Sequence, residues 1–339
     1  MRLLSTPLMP LLLSGWINGA CAVSSALSPY MMQGHLKPDL ETTDFSLRTG
    51  YLLSQMSVLA YEEEAEVRKI VTEDLHYPHF YWIEVRSDLS GELVLDAIED
   101  TEGFVAADDD VIIVAFRGTS GLSDWITDLK VGLIRAPAAW GVTGRVHQGF
   151  NQAVESVWNR QRLVNIIQDL LTEPGKNRKL LLTGHSLGGA LATVTGARLA
   201  FEENANIHGI YTTGCPRVFD TELARIFDEK VNYGKRLEAK CFRVRNNNDA
   251  VTRVPSVGYR HVGTEIYFDR YGVISTTSLF DRLLGRARAL LDGIISDGVD
   301  DHSGEGYTML MQNAYEESQM STGEKTVDML SEVFSRMRD

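Results

Sequence analysis

The segment most able to do chemistry is the run KLLLTGHSLGGALA, residues 179–192. Its centre, GHSLG around Ser186, is a G-x-S-x-G motif between an apolar run typical of a buried strand and one typical of a helix. In that context the motif predicts a tight turn that lifts the serine hydroxyl clear of the sheet. We therefore predict that Ser186 is a nucleophile at a helix N-terminus, where the helix dipole favours an oxyanion. The alternative is a glycine-rich turn whose serine only caps the helix.

A serine nucleophile needs a base, and in this arrangement the chain order is serine, acid, histidine. Three histidines follow the motif: His208, His261 and His302. His208 precedes a predicted strand with no loop acid before it, and His261 stands at the amino-terminal start of another strand. His302 follows that strand, in the loop 297–306, so we predict it as the base. His185 adjoins the nucleophile, but neighbours in a tight turn point apart, and we interpret it as a packing residue.

The acid that orients the base should follow the carboxyl end of a strand, because catalytic groups in parallel sheets collect at that edge. The strand predicted over 241–245 is followed by Asn-Asn-Asn-Asp, which ends at Asp249. We predict Asp249 as the acid, with Asp269 after the next strand as its rival. Asp300 and Asp301 adjoin the base and are interpreted as solvated side chains.

These residue types predict acyl transfer through a covalent intermediate. His302 would take the Ser186 proton and return it to the leaving alcohol, while Asp249 would hold the tautomer and stabilise the imidazolium. The tetrahedral oxyanion needs preset donors, and the backbone N–H of Leu187, directly after the nucleophile, is the first of them.

The surrounding pattern predicts elements that would position these residues. Strands and helices alternate after residue 179, which indicates a mainly parallel sheet with helices on its faces. The acidic triplet at 108–110 is interpreted as a solvated turn rather than a calcium site. Predicted helices cover 43–67, 150–171, 187–201 and 279–295, with two more after Tyr307; predicted strands cover 79–86, 103–107, 111–116, 180–183, 207–213, 241–245 and 262–268.

Composition excludes several classes of protein. The 339 residues are 44% hydrophobic, which is too apolar for a disordered chain. The net charge of −13 gives no general footprint for nucleic acid, and no apolar run is long enough to span a membrane. The three cysteines, Cys21, Cys215 and Cys241, form no disulfide or metal pattern, and the eight histidines show no metal spacing. We therefore predict no metal and no cofactor.

The N-terminal segment leaves two possibilities open. Residues 3–34 carry no charge and no histidine, after a single basic Arg2. The apolar stretch 8–13 and the small residues at 20–22 fit a signal peptide, although two prolines interrupt the apolar stretch. We expect a leader over 1–34 and one domain over 35–339. The location is secreted or cell-envelope if residues 1–22 are cleaved, and cytoplasmic otherwise.

Motifs along the chain resemble those of the class 3 lipases, a family of α/β-hydrolases. They appear in the family's order: LAYEEE at 59–64, VIIVAFRGT at 111–119, DWITDL at 124–129, VHQGF at 146–150, TGHSLGGALA at 183–192, TTGCPRV at 212–218 and NNDAVTRVP at 247–255. The resemblance implies an α/β-hydrolase fold with a mainly parallel central sheet, helices on both faces and an N-terminal antiparallel portion. It also implies that Thr119 supplies the second oxyanion donor. One departure is that Tyr307 lies farther from His302 than is usual in the family.

The resemblance further implies a lid over the segment after Thr119, about residues 120–133. Four apolar residues there fall at helical spacing on one stripe: Leu122, Trp125, Ile126 and Leu129. An ordinary surface helix would show the same pattern.

The function implied is a carboxylic-ester hydrolase, a triacylglycerol lipase acting at a lipid–water interface, and we expect a monomer with no nucleic-acid partner. Phospholipase A1 or an esterase for soluble esters would use the same residues. A lipase-like binding module without turnover is a third possibility.

Overall fold

The computed structural model describes residues 36–84, 102–119, 132–160, 162–275 and 301–320. An eight-stranded sheet, in the order β1-β2-β3-β6-β7-β11-β13-β14, forms its centre. The strands are β1 His79–Glu84, β2 Glu102–Ala107, β3 Val111–Phe116, β4 Leu133–Arg135, β5 Arg145–His147, β6 Lys179–His185, β7 Ile207–Thr213, β8 Phe219–Asp220, β9 Val231–Asn232, β10 Lys235–Arg236, β11 Cys241–Asn246, β12 Tyr259–Arg260, β13 Thr264–Phe268 and β14 Ile274–Ser275.

The central sheet is mixed, with parallel strands in its middle. β3, β6, β7, β11 and β13 run parallel to one another, whereas β1, β2 and β14 pair antiparallel at the two sides. The α/β-hydrolase fold and its N-terminal antiparallel portion are therefore confirmed. Because the five central strands share one direction, the loops after them meet at one edge of the sheet, which we call the carboxyl edge.

Helices surround the sheet, and two of them are almost wholly buried. They are α1 Leu47–Leu59, α2 Glu64–Lys69, α3 Gln148–Glu155, α4 Leu163–Leu171, α5 Leu187–Phe201, α6 Thr221–Glu229 and α7 Gly304–Gln319. Every residue of α5 except Phe201 is buried, and α1 is buried from Thr49 to Leu59. These two helices are apolar or small on all sides because each is enclosed between the sheet and its neighbours.

Two predicted helices are wrong in extent. The helix expected over 43–67 is divided: α1 ends at Leu59, and α2 begins at Glu64 and runs into a π-helical turn, Ile70–Asp74. The helix expected over 150–171 is interrupted by another π-helical stretch, Ser156–Arg160, and by Arg162 at φ 56°. Neither break contains a proline or a glycine, so the sequence carries no stop signal that would reveal it.

Smaller differences concern element ends. The strand expected from 262 begins at Thr264, and the final helix begins at Gly304, before Tyr307 rather than after it. The leader 1–34, the helix at 279–295 and all but two residues of the lid segment lie outside the described residues; of those two, Leu133 begins β4. The division into a leader and one domain stays a prediction.

The acidic triplet forms a turn, as predicted. Asp108 accepts hydrogen bonds from the backbone of Asp110 and Val111 and pairs with Lys37, while Asp109 pairs with Lys176. Across the described ranges, no group of three or more histidine, cysteine or acidic side chains is placed to hold a metal ion. Within those same ranges, no helix combines the length and apolarity required to cross a bilayer.

Candidate active site

The turn at Ser186 has the strained geometry that the motif predicts. Ser186 connects β6 to α5 with φ 56° and ψ −124°, a region that non-glycine residues rarely adopt. Its side chain makes no capping hydrogen bond to α5, so the reading of Ser186 as a simple helix cap is wrong. The backbone is held instead by a hydrogen bond from the Ser186 N–H to the Thr213 carbonyl at the end of β7, 3.0 Å.

Glycines on both sides of the serine are required by close approach of the backbone. A Cβ atom on Gly184 would overlap the carbonyl group of Gly188 and stand 2.7 Å from the nitrogen of Gly189. A Cβ atom on Gly188 would overlap the Phe116 carbonyl oxygen and stand 2.9 Å from the Arg117 carbonyl carbon. The strand, the helix and the loop after β3 therefore pass so closely that only glycine fits at these two positions.

The structure brings the predicted base and acid together. His302 Nδ1 lies 2.8 Å from Asp249 Oδ2, although 53 residues separate them, and both side chains are buried. A carboxylate can only accept, so Nδ1 carries the proton and the Nε2 of neutral His302 is left as the acceptor. Among the described residues, neither His302 Nε2 nor Ser186 Oγ has a hydrogen-bond partner, although both atoms are buried.

The ring of His302 packs against the segments that flank the serine. Its centroid is 4.6 Å from that of His185, and a Cβ atom on Gly214 would stand 2.7 Å from its Cε1. Gly214 directly follows Thr213, the residue that accepts the Ser186 N–H. The three candidate residues therefore meet at the carboxyl edge, after β6, after β11 and before α7.

The carboxylate of Asp249 is fully satisfied. Besides His302, its Oδ2 accepts a hydrogen bond from the hydroxyl of Tyr307 at 2.6 Å, and its Oδ1 accepts one from the Val251 N–H at 2.8 Å. The Tyr307 hydroxyl in turn accepts from the Asn246 N–H at 2.9 Å. Three donors around one buried carboxylate satisfy its oxygens and fix its orientation.

Tyr307 is a residue of this site that the sequence reasoning noted only for its unusual spacing. Ser303 caps α7 by accepting from the Gly306 N–H, and Tyr307 follows in the first turn of that helix. The longer spacing from His302 is thus accommodated by the helix start, and the tyrosine still reaches the acid.

The interpretation of Asp301 as a solvated side chain is wrong. Its Oδ2 accepts from Asn247 Nδ2 and from the Asn248 N–H, each at 3.0 Å, and its carbonyl accepts from Asn246 Nδ2. Asp301 therefore ties the turn that carries His302 to the loop that carries Asp249. Asp300 lies outside the described residues.

The rival residues have other contacts. Asp269 Oδ1 accepts from the N–H groups of Tyr271 and Val273, which closes its own turn after β13. His261 Nε2 contacts the Thr252 carbonyl oxygen at 2.6 Å. His208 lies in β7 near its amino-terminal start, at the opposite edge of the sheet from Ser186. None of these three is placed beside the nucleophile.

The two predicted oxyanion residues lie on segments that press against each other. Leu187 is the first residue of α5, and Thr119 follows β3 after Arg117 and Gly118. A Cβ atom on Gly118 would stand 2.7 Å from the His185 carbonyl oxygen, which shows how closely the loop after β3 approaches the turn. Arg117 forms an ion pair with Glu102 at the start of β2.

Comparisons with known proteins agree with this arrangement. Residues 113–259 match the family model described as lipase (class 3). A triacylglycerol lipase of Ricinus communis is 27% identical over 300 residues, 73% of this chain and 54% of that protein. A phospholipase A1 of Oryza sativa is 29% identical over 205 residues, 55% of this chain and 50% of that protein. The chain thus spans about half the length of these relatives.

A solved structure carries the same fold. It is a triacylglycerol lipase whose catalytic centre is formed by a triad of the serine-protease type; it shares 25% sequence identity and a TM-score of 0.51, over 69% of this chain and 87% of that one. The match over residues 113–259 begins within β3 and contains the Ser186 turn and the Asp249 loop. In its α/β-hydrolase sheet and in the segment that carries the candidate nucleophile and acid, the chain is similar to the class 3 lipases.

Proposed function

We propose that this protein is a serine ester hydrolase, a triacylglycerol lipase acting at a lipid–water interface. The observation that carries the proposal is the strained, buried Ser186, whose hydroxyl has no hydrogen-bond partner among the described residues, close to a hydrogen-bonded pair of His302 and Asp249. A strained serine without a capping bond contributes nothing obvious to stability, whereas a nucleophile requires this geometry.

The residues would act in two half-reactions. Ser186 Oγ attacks the ester carbonyl while His302 Nε2 takes its proton, and the oxyanion accepts hydrogen bonds from the N–H groups of Leu187 and Thr119. The intermediate collapses to an acyl-serine as the protonated His302 gives its proton to the leaving alcohol. A water molecule, with His302 again as base, releases the fatty acid and restores the serine hydroxyl.

The substrate class is supported by resemblance. Similarity to relatives named triacylglycerol lipase supports an acylglycerol substrate for this protein. Similarity to a relative named phospholipase A1 supports the same chemistry on a glycerophospholipid. Both substrates present a fatty ester at an interface. The proposed lid, with Leu122, Trp125, Ile126 and Leu129 on one stripe, would cover the acyl site in water and bury that stripe against lipid.

A side-by-side assay tests the proposal. Emulsified triolein, a phosphatidylcholine emulsion and p-nitrophenyl butyrate should be compared, and we expect the highest rate on triolein. A higher rate on phosphatidylcholine would favour phospholipase A1, and activity on the soluble ester alone would favour an esterase. If the folded protein turns over none of these esters, the result would favour a lipase-like binding module without turnover.

Variants of the triad test the assigned roles. Ser186→Ala and His302→Ala should each lower kcat by at least about 10⁴, and the double variant should be little worse, because these residues act as a unit. Asp249→Asn should cost roughly 10³–10⁴. Asp269→Asn is the matched control and should retain turnover. Near-normal kcat in Ser186→Ala would reject the nucleophile.

The interface is tested separately. The rate on tributyrin should rise in a step where the substrate exceeds its solubility, and Trp125→Glu should reduce that step. A smooth curve of rate against tributyrin concentration that Trp125→Glu does not change would contradict the proposed lid. It would not contradict the assignment of the triad.

A further inference from the structure

His185 connects three parts of the site through both of its ring nitrogens. Nε2 lies 2.7 Å from the carbonyl oxygen of His302, and Nδ1 lies 2.9 Å from the hydroxyl of Tyr61. A carbonyl can only accept, so Nε2 carries the proton and donates it, and Nδ1 accepts from the tyrosine. His185 therefore has a single tautomer, imposed by its two partners.

His185 is also held neutral. It is 5% exposed, and burial, followed by the nearby His302, keeps its pKa well below the ordinary value for histidine. The two rings lie with centroids 4.6 Å apart and planes tilted by 35°. In the proposed mechanism His302 becomes an imidazolium, and a neutral neighbour at this distance avoids repulsion between two charged rings.

Tyr61 extends the connection to the loop that carries Thr119. It follows α1, in the break that separates α1 from α2, and its hydroxyl lies against Gly118. A Cβ atom on Gly118 would overlap that hydroxyl, so the contact is close. Two hydrogen bonds thus connect Tyr61, which packs against Gly118, through His185 to the backbone of His302.

We propose that His185 is a positioning residue that fixes the backbone of His302 relative to Ser186. His302 lies in a turn before α7, outside any strand, so no sheet ladder holds its peptide groups. The carbonyl of His302 is held by His185, which is the residue next to the nucleophile. The turn that sets the direction of the serine therefore also sets the position of the base. This inference rests on the proposed function, because it assigns a role within that reaction.

Two amide substitutions separate this role from packing. The terminal amide of glutamine reaches about as far as Nε2, and that of asparagine about as far as Nδ1. His185→Gln can still donate to the His302 carbonyl, whereas His185→Asn can only keep the contact with Tyr61. On p-nitrophenyl butyrate we expect kcat within about threefold of wild type for His185→Gln and roughly tenfold to thirtyfold lower for His185→Asn, since small displacements of a catalytic group are costly. KM should change less than about twofold in both.

A matched control removes the effect of lost stability. Lys240 is buried at the other edge of the sheet and donates to the carbonyls of Ile207 and Asn232 at 2.8 and 2.9 Å. Lys240→Met should lower Tm by breaking buried hydrogen bonds but leave kcat unchanged. Assays are run well below the lowest Tm of the set.

A second variant keeps the test decisive if His185→Asn does not fold. Tyr61→Phe removes only the hydroxyl, and we expect it to lower kcat about threefold to tenfold without raising KM. If His185→Asn does fold, Tyr61→Phe should have a smaller effect on kcat in that background, because the connection to His302 is already broken.

Three outcomes would overturn the inference. They are equal kcat in the glutamine and asparagine variants, kcat in His185→Asn above half of wild type, and unchanged kcat in Tyr61→Phe. Each outcome is interpreted only if the wild-type protein turns over the ester and Ser186→Ala does not. If wild type shows no turnover, the proposed function fails instead.

Discussion

The strained backbone of Ser186 leads to an unusual prediction about stability. Replacing alanine by glycine normally destabilises a protein by about 0.4–1 kcal/mol, because glycine gives the unfolded chain more freedom. At φ 56° and ψ −124°, however, a residue with a Cβ atom is strained by roughly 1–3 kcal/mol, and glycine is not. The difference between these two effects leaves Ser186→Gly more stable than Ser186→Ala by about 1 kcal/mol.

Ser57 provides the matched comparison. It is buried in the regular helix α1 and donates its hydroxyl to the Ser54 carbonyl at 2.7 Å, a bond that both substitutions remove. Its backbone is helical, so Ser57→Gly should be less stable than Ser57→Ala by about 1 kcal/mol. The sign of the glycine–alanine difference should therefore reverse between Ser186 and Ser57.

Guanidinium denaturation of the four variants, followed by tryptophan fluorescence, measures these differences, with equal m-values required for the comparison. Both Ser186 variants should be inactive, so the gain in stability with glycine would accompany complete loss of turnover. If glycine is the less stable residue at both positions, the Ser186 backbone is not strained and the reasoning fails.

Three further predictions concern residues around the site and the fold. Tyr307→Phe removes a donor to the buried carboxylate of Asp249, and it should lower the unfolding free energy by about 2 kcal/mol in denaturant titrations; a loss below about 0.5 kcal/mol would contradict this. Burial raises the pKa of Asp228 to about 6 from 3.8, so the folded state binds its proton more tightly, and stability should fall as the pH rises between these values. Asp228→Asn should then raise the unfolding free energy, and with it Tm, at pH 7 but not at pH 3.5, by on the order of 1 kcal/mol after solvent screening; an equal gain at both pH values would refute it. Gly184→Ala forces a Cβ atom into the Gly188 carbonyl and should cost about 3 kcal/mol of stability with loss of turnover; circular dichroism melts and ester assays check it, and an unchanged Tm would be inconsistent with the packing.

The local sequence pattern is sufficient to predict the central strands of this fold and the helix that follows Ser186. The helix Leu187–Phe201 and the strand Ile207–Thr213 begin and end at the predicted residues, and β3 begins and ends at Val111 and Phe116 as expected. Short apolar runs bounded by turn residues have one stable arrangement when both faces are buried, which is why their limits are readable. The candidate nucleophile could be predicted for the same reason, since its glycines and its apolar flanks are contiguous.

The breaks in the predicted helices could not be predicted from the apolar periodicity. The chain between α1 and α2 leaves the helix at Ala60, and Tyr61 enters the site there to contact His185. An apolar period reports which face is buried, but it does not report a local change from α to π geometry or a single left-handed residue such as Arg162. The packing against distant segments decides these points.

The sequence by itself determined the main strands of the central sheet, the turn at Ser186 and the edge at which the acid and base should stand. The tertiary structure alone decided what surrounds them. Tyr307 reaches Asp249 across 58 residues, Asp301 reaches Asn248 across 53 and His185 reaches His302 across 117. Such partners have no sequence period, because a buried donor is satisfied by whichever acceptor the fold brings within hydrogen-bond distance.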